Sequence, residues 1–398
     1  MKIFRILLTT AIVLGMTACN NEDPVDLTGQ PESTVSVRIV PTSDAPAVRS
    51  AGNLSGTGVT ATGLVAESDI KLLEVYIFQG ELPDGYKSAT PVSPATTVTQ
   101  VLDIATHAGA RTIVVVANAN IGAVPNKATL LAKTKDIPVT IASGIPMTST
   151  PVDVTLVGGK NQYGFSTTTD NYASGANQIS ANTPLPLVRV NARVAIVSAT
   201  LTNSLPADQL EIFNALTDIQ VAMFNVPKTS KLFGAPLAMN SDFLFGEAWP
   251  SPLATYHVGT ANAAFKEIGP STLPITVANA PYFYVTENNS TTAKDSMFIV
   301  LRAKPTKGNP AVPVVSEGLY TDADGYTYYP VWVNATKAGY SYTGNNTGDG
   351  IIRRNTQYNI SLKIKKIGNP TIDPPVAAQL DVNVSVEPWL VVTQGVEW

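Results

Sequence analysis

The chain has 398 residues, enough for two domains or three. Only 14% of them are charged and 44% are hydrophobic, with 28 Gly and 29 Pro; no long heptads run through the chain, so this is the composition of an all-β extracellular protein and not of a helical one. Basic and acidic residues nearly cancel to a net charge of −4, and no basic run is interleaved with aromatics, which excludes a nucleic-acid partner.

Residues 1–18 read as a targeting segment. Lys2 and Arg5 supply the charged start, Ile6 to Val13 the apolar stretch, and Gly15-Met16-Thr17-Ala18 the small-residue cleavage region. The apolar stretch is too short for a mature transmembrane helix. Cys19, the only cysteine, follows at once, and Met16-Thr17-Ala18-Cys19 resembles a bacterial lipobox, with signal cleavage between Ala18 and Cys19. Acyl chains on Cys19 would anchor the protein, each buried CH₂ adding about 0.8 kcal/mol. The acidic pair in Asn20-Asn21-Glu22-Asp23 looks like the surface-export signal of Bacteroidetes lipoproteins. With no second cysteine there is no intramolecular disulfide, so stability must come from sheet packing.

A flexible polar tether over 20–32 leads to a short strand at 34–40, where Val35, Val37 and Ile39 alternate with Thr34, Ser36 and Arg38. Pro41 closes it, and a breaker-rich loop with a single arginine, Arg49, follows before Ser50. Asp69–Phe78 reads as a buried strand with Leu73, Val75 and Ile77 inward and Tyr76 and Phe78 partly so. Thr112–Ala117 (TIVVVA) carries no charge and reads as a central strand buried on both faces. Residues 126–135 suit a short helix with Leu130 and Leu131 inward. Residues 159–183, rich in Gly, Asn, Ser and Thr, are expected to be a surface excursion.

Leu187–Leu201 is the next strong strand region, and the domain boundary is expected near residue 186, giving domains at 50–186 and 187–368. The second half repeats the idiom, with strands expected at Leu210–Ile212, Ile219–Val226, Ala280–Glu287, Ser296–Ala303, Tyr326–Val333 and Gln357–Ile364. Pro330 argues that the Tyr326–Val333 strand lies at an edge. The stiff spacer Gly368-Asn369-Pro370-Thr371-Ile372-Asp373-Pro374-Pro375 cannot pair regularly. Beyond it Leu380, Val382, Val384 and Val386 alternate with Asp381, Asn383, Ser385 and Glu387, before Pro388 and Trp389. This last stretch, in residues 369–398, must bury its apolar face in its own domain or in a neighbour.

Catalytic patterns are missing. His107 and His257 have no second ligand at metal spacing, and no nucleophile elbow, HExxH or P-loop occurs. Thr321-Asp322-Ala323-Asp324-Gly325 faintly resembles a calcium loop, but Tyr326–Pro330 supply no downstream carboxylate, and a turn is the better reading. Tyr326, Tyr328, Tyr329, Trp332, Tyr340 and Tyr342 would suit either a sugar platform or a packed sheet face. No enzyme activity, metal or cofactor is expected.

Several of these features converge. Arg353-Arg354-Asn355-Thr356-Gln357-Tyr358-Asn359-Ile360-Ser361, then Ile367-Gly368, the proline spacer, Leu380–Val384 and Pro388-Trp389, resemble the C-terminal motifs of the Bacteroidetes fimbrillins. These are the FimA-like subunits of type V pili, and the likeness is drawn especially to the shaft subunit of the minor fimbria. Val114–Asn118 resembles the family's N-domain core strand, and Arg189 with Ala192-Arg193 the strand opening its C-terminal domain.

The resemblance implies two transthyretin-like β-sandwiches in series with a C-terminal donor strand. It implies a lipoprotein precursor at the outer membrane whose propeptide, 19–49, is cut by a trypsin-like protease between Arg49 and Ser50. The first strand, with Val35, Val37 and Ile39, would be a placeholder. Its removal would open a groove for the donor strand of an identical subunit, carrying Leu380, Val382, Val384, Val386 and Trp389. Burying each donor aliphatic would contribute about 1.5–3 kcal/mol before ordering costs. Head-to-tail contacts that do not close give a filament, with tip and anchor subunits as further partners, exposed at the cell surface and serving adhesion. Two alternatives stand beside this reading: a monomeric glycan-binding surface lipoprotein, and a tip or anchor component.

Overall fold

The computed structural model describes residues 29–41, 55–57, 65–93, 95–136, 143–166, 175–179, 183–202, 215–238, 243–245, 270–290, 295–306, 321–335, 340–343, 348–365, 367–370, 372 and 380–388. In chain order the strands of the first half are β1 (Glu32–Pro41), β2 (Ser55–Thr57), β3 (Leu73–Gln79), β4 (Leu82–Ala89), β5 (Gln100–His107), β6 (Gly109–Ala117), β7 (Thr134–Asp136), β8 (Met147–Thr148), β9 (Val152–Leu156), β10 (Gly159–Tyr163), β11 (Asn177–Gln178) and β12 (Leu185–Arg189). Those of the second half are β13 (Ala192–Leu201), β14 (Ala215–Phe224), β15 (Val226–Pro227), β16 (Thr229–Lys231), β17 (Phe243–Phe245), β18 (Pro281–Val285), β19 (Phe298–Thr306), β20 (Thr327–Trp332), β21 (Tyr340–Thr343), β22 (Thr356–Ile364) and β23 (Leu380–Pro388).

The first domain is one ten-stranded sheet wrapped around an aliphatic core. Its main path runs β11-β10-β1-β12-β8-β6-β3-β4, with β5 branching from β1 and β9 from β6. The period-two pattern of β1 puts Val35, Val37 and Ile39 into this core, beside Leu73, Val75 and Ile77 of β3 and Ile113 and Val115 of β6. β6 is buried on both faces, as its unbroken aliphatic run requires, since Val114 and Val116 enter a second cluster. Tyr76 and Phe78 also lie there and are fully buried, more than the half-burial expected of them. Leu232 and Phe233, from the second domain, complete that cluster. A five-residue helix, Lys127–Leu131, is capped by Asn126, whose Oδ1 accepts the Thr129 N–H; Leu130 is buried and Leu131 only half so.

Two expectations change. Residues 159–163 do not skirt the surface: they form β10, parallel to β1, with Asn161 and Gln162 buried. The strand stretch expected at 187–201 is divided, because β12 pairs with β1 and β8 while β13 opens the other sheet, so the sheets part between Arg189 and Ala192 and not at 186. The expected strand at 210–212 lies outside the described residues.

The second domain packs a six-stranded sheet, β2-β18-β13-β22-β23-β21, on a three-stranded one, β14-β19-β20. Between them lie Val194, Ile196, Val221, Ile299, Leu301, Tyr358, Ile360 and Leu362. β20 is an edge strand, which suits its Pro330. β2 is a crossover: although it precedes most of the first domain, it pairs with β18 of the second.

The outer face of the three-stranded sheet is aromatic. Phe224 stacks on Phe298 at 4.9 Å and Phe298 on Trp332 at 5.3 Å. Ile372 of the proline spacer lies buried in this cluster with Tyr326 and Tyr328. Asn369 and Tyr328 exchange backbone hydrogen bonds, and a side chain on Gly368 would collide with the Tyr328 carbonyl, so glycine lets the spacer lie flat on β20.

A buried charged knot joins the domains. Glu67, in the short turn Val65–Ser68, accepts from Arg193 Nη1 at 2.9 Å and from the Tyr284 hydroxyl at 2.6 Å. Arg193 Nη2 also donates to Gln357 Oε1, and Arg189 donates to the Glu67 carbonyl and to Ser68 Oγ. Burial pulls the Arg189 guanidinium down to about 10, against the raising effect of Glu67, and the same burial with Glu67 pushes the Tyr284 hydroxyl well above its ordinary range.

Candidate functional site

Two strand seats define the candidate site. In the first, β1 lies in the interior of its sheet. It runs antiparallel to β5 and parallel to β10 and then to β12. Val35 and Val37 are wholly inaccessible and Ile39 is 2% exposed. Polar groups lock its start. Ser33 Oγ donates to the Val157 carbonyl at 3.0 Å and accepts from Asn161 Nδ2 at 2.8 Å. Ser36 Oγ accepts the Asp103 N–H at 3.0 Å, where β5 bulges.

Just before β1, a buried ionic cluster clasps the chain. Asp84 receives Arg111 Nε and the Thr106 hydroxyl on Oδ2, and His107 Nδ1 at 2.6 Å on Oδ1. Arg111 Nη2 in turn donates to Gln30 Oε1 at 2.6 Å. Burial alone would raise the Asp84 carboxyl, but these hydrogen bonds win and hold it down to about 2. His107, which has no second ligand at metal spacing, is thus one arm of this cluster.

In the second seat, β23 runs antiparallel to β22 from Leu380 opposite Ile364 to Pro388 opposite Thr356, and parallel to β21 from Val382 to Ser385. The terminal strand therefore lies in its own chain, inside the second domain's sheet. Its register sets Val382, Val384 and Val386 opposite Leu362, Ile360 and Tyr358, a row that is 0–1% exposed.

The other expected residues divide clearly. Tyr326, Tyr328, Tyr329 and Trp332 are buried, which removes them as a sugar platform; for Tyr340 and Tyr342 only the backbone is described. Asp322 closes a turn, its Oδ1 accepting from the amides of Asp324 and Tyr326. Ala18, Cys19, Arg49, Ser50, His257 and Trp389 lie outside the described residues. Among the described residues no cluster of three or more His, Cys, Asp or Glu could hold a metal. Asn161, Gln162 and Asp84 escaped the sequence reading because their burial depends on partners far along the chain.

Two all-β domains joined by a buried knot, with strands β1 and β23 each docked inside a sheet, define an all-β protein of two domains in series. The family model for the major fimbrial subunit protein (FimA) matches residues 33–189, and that for the FimA4 pilin C-terminal domain matches residues 193–389. The chain is 32% identical over its full length, and that of the relative, to the major fimbrium subunit FimA type-2 of Porphyromonas gingivalis, and 31% identical over both full lengths to its type-3 counterpart. A crystal structure of a fimbrilin from P. gingivalis W83 superposes with a TM-score of 0.68 at 27% identity, covering 92% of this chain and 99% of that one. A putative cell adhesion protein from Parabacteroides distasonis shares the fold, with a TM-score of 0.60 at 17% identity over 90% of this chain and 100% of that one. The chain belongs to the FimA fimbrillin family and is a structural subunit of a bacterial surface fimbrium. The sequence motifs pointed especially to the minor-fimbria shaft subunit; the relatives named here belong to the major fimbrium, so the shared ground is the family.

Proposed function

We propose that this protein is the shaft subunit of a type V pilus, made as a lipoprotein and polymerised by strand exchange, without enzymatic activity. Residues 1–18 are removed as the signal, Cys19 carries the acyl anchor to the outer membrane, and a trypsin-like protease cuts between Arg49 and Ser50. The propeptide 19–49 then leaves with β1. The C-terminal stretch from Leu380, including Trp389, of an identical subunit takes the vacated place, and the fibre serves adhesion together with tip and anchor subunits.

The observation that carries this reading is the seat of β1. β1 fills the interior of its sheet, held on both sides by strands that begin at Gln100 or later. Its covalent link onward runs through the segment bearing Arg49. Losing β1 uncovers the aliphatic row once faced by Val35, Val37 and Ile39, and only another alternating strand covers such a row. The home-docked β23 is what a monomeric lipoprotein would also have. Membership in a fimbrial family and the burial of the aromatic cluster weigh against the glycan-binding alternative.

Limited trypsin digestion of the unlipidated precursor, followed by mass spectrometry and sizing, tests this. Loss of the chain up to Arg49, then a ladder of oligomers that disappears when Leu380–Trp398 is deleted, is the expected result. A cut form that stays monomeric overturns the strand-exchange reading.

A further inference from the structure

Two strands of this chain carry one pattern. Aligned on their closing prolines, Thr34-Val35-Ser36-Val37-Arg38-Ile39-Val40-Pro41 and Asp381-Val382-Asn383-Val384-Ser385-Val386-Glu387-Pro388 alternate in phase. Their seats match as well. Each has an antiparallel neighbour on one side (β5 or β22) and parallel pairing on the other (β10 and β12, or β21). We infer that β23 of a second copy occupies the seat of β1 in this one frame, with Asp381 in the place of Thr34, and that Lys160, Gln162 and the Thr99 carbonyl select it. The inference rests on the strand-exchange reading and adds its register and the residues that choose it.

A shift by one residue is forbidden because it turns the aliphatic face outward. Shifts by two keep the faces and must be excluded on chemistry. The register partner of Thr34 on β10 is Lys160, so the inferred frame sets Asp381 across from a cation. Asp381 has the same relation at home, where its partner on β22 is Lys363. The register partner of Ser36 is Gln162, 3% exposed, whose Oε1 has no hydrogen-bond partner among the described residues. In this frame Asn383 stands at Ser36. Its amide N–H supplies Gln162 Oε1, and its carbonyl accepts the Asp103 N–H that Ser36 Oγ now accepts.

Each two-residue slip breaks something. One slip carries Pro388 to position 39, where the amide N–H donates to the Thr99 carbonyl at 2.9 Å, and proline has no such donor. The other carries Asp381 to position 36, bringing a carboxylate against the already unsupplied Gln162 carbonyl and leaving Lys160 unmatched. The inferred frame asks one accommodation, Leu380 in place of Ser33. A cleft of about 550 Å³ lined by Ser33, Thr34 and Gly159 adjoins that position, and Asn161 Nδ2 keeps the Val157 carbonyl at 2.9 Å.

Disulfide capture reads the frame directly. Ile104 is the β5 partner of Val35. Full-length Cys19→Ser protein carrying Ile104→Cys is cut with trypsin and mixed with equally cut protein carrying Leu380→Cys, Val382→Cys or Val384→Cys. The inferred frame gives a covalent dimer with Val382→Cys only. Capture by Leu380→Cys or Val384→Cys, with assembly intact, overturns the register and leaves strand exchange standing. Oligomer ladders with no capture by any of the three overturn it too, because another segment then fills the seat. Cut protein that forms no ladder at all refutes the underlying strand-exchange reading. As a second readout, Lys160→Glu slows ladder growth several-fold and Asp381→Lys on the incoming strand restores it; no effect of either counts against the frame.

Discussion

Glu67 and Arg193, 126 positions apart, form an ion pair at 2.9 Å in which neither side chain is more than 1% exposed. Arg193 and Tyr284 are register partners on adjacent strands, and both hold the same carboxylate. The turn Val65–Ser68 is therefore riveted to the second domain's sheet. Glu67→Gln leaves Arg193 buried beside a neutral amide. Chemical denaturation is expected to show a loss of about 3–5 kcal/mol, the usual cost of breaking one half of a buried pair.

The Asp84 cluster makes stability depend on acid. Its folded carboxyl lies at about 2, below the ordinary value of 3.8, so the stabilisation is complete above about pH 4 and is lost as pH falls toward 2. The difference amounts to roughly 2 kcal/mol. Asp84→Asn is expected to lower the thermal midpoint at pH 7 and to flatten its decline between pH 4 and pH 2, measured by circular dichroism.

Ile39→Ala separates the precursor from the processed form. In the uncut protein it opens a cavity in the first core and is expected to cost about 2–5 kcal/mol. After trypsin cuts at Arg49 and β1 leaves, the same variant is expected to assemble at the wild-type rate, because the altered side chain is gone. A slower ladder would show that β1 remains in place during assembly.

Arg354 ties a loop of the second domain over the first. It donates to the carbonyls of Leu232 at 2.8 Å and Lys231 at 3.0 Å and forms an ion pair with Glu287. Arg354→Ala is expected to cost about 2 kcal/mol and to speed amide exchange over 231–234. Arg354→Lys is expected to rescue little, since an ammonium lacks the planar fork that reaches several carbonyls at once.

Ile372 fixes the spacer to the aromatic face of the three-stranded sheet. Ile372→Ala is expected to destabilise by about 2–4 kcal/mol and to raise the fluorescence response of Trp332 to added quencher. Unchanged quenching would mean that other residues cover the cluster.

The alternating strands were legible because a period of two records which face meets the core. Val35, Val37 and Ile39, and the row from Tyr358 to Ile364, needed nothing beyond that rule. The uncharged run of β6 was legible for the complementary reason: both of its faces are buried. β10 was not. Gly-Lys-Asn-Gln-Tyr has loop chemistry, and Asn161 is tolerated inside because its amide is hydrogen-bonded to Val157 nearby and to Ser33, 128 positions earlier. The crossover of β2 was equally hidden, since Ser-Gly-Thr carries no pattern and its pairing partner lies in the other domain. For the candidate site, the two strands could be read from sequence and the polar groups that set their register could not.

The parallel pairing of β1 with β10 and β12 has a consequence for how the chain is made. The first strand to leave the ribosome has its parallel neighbours at residues 159–163 and 185–187, so it waits while more than a hundred residues are synthesised. Loop closure over such a separation is slow, and contacts of this kind form late. β1 is therefore expected to complete its parallel pairing late, after the body of the first domain has gathered. A chain whose first-domain body gathers before β1 docks passes through a partly built form with an open seat, which late amide protection of Val35 to Ile39 during refolding would reveal.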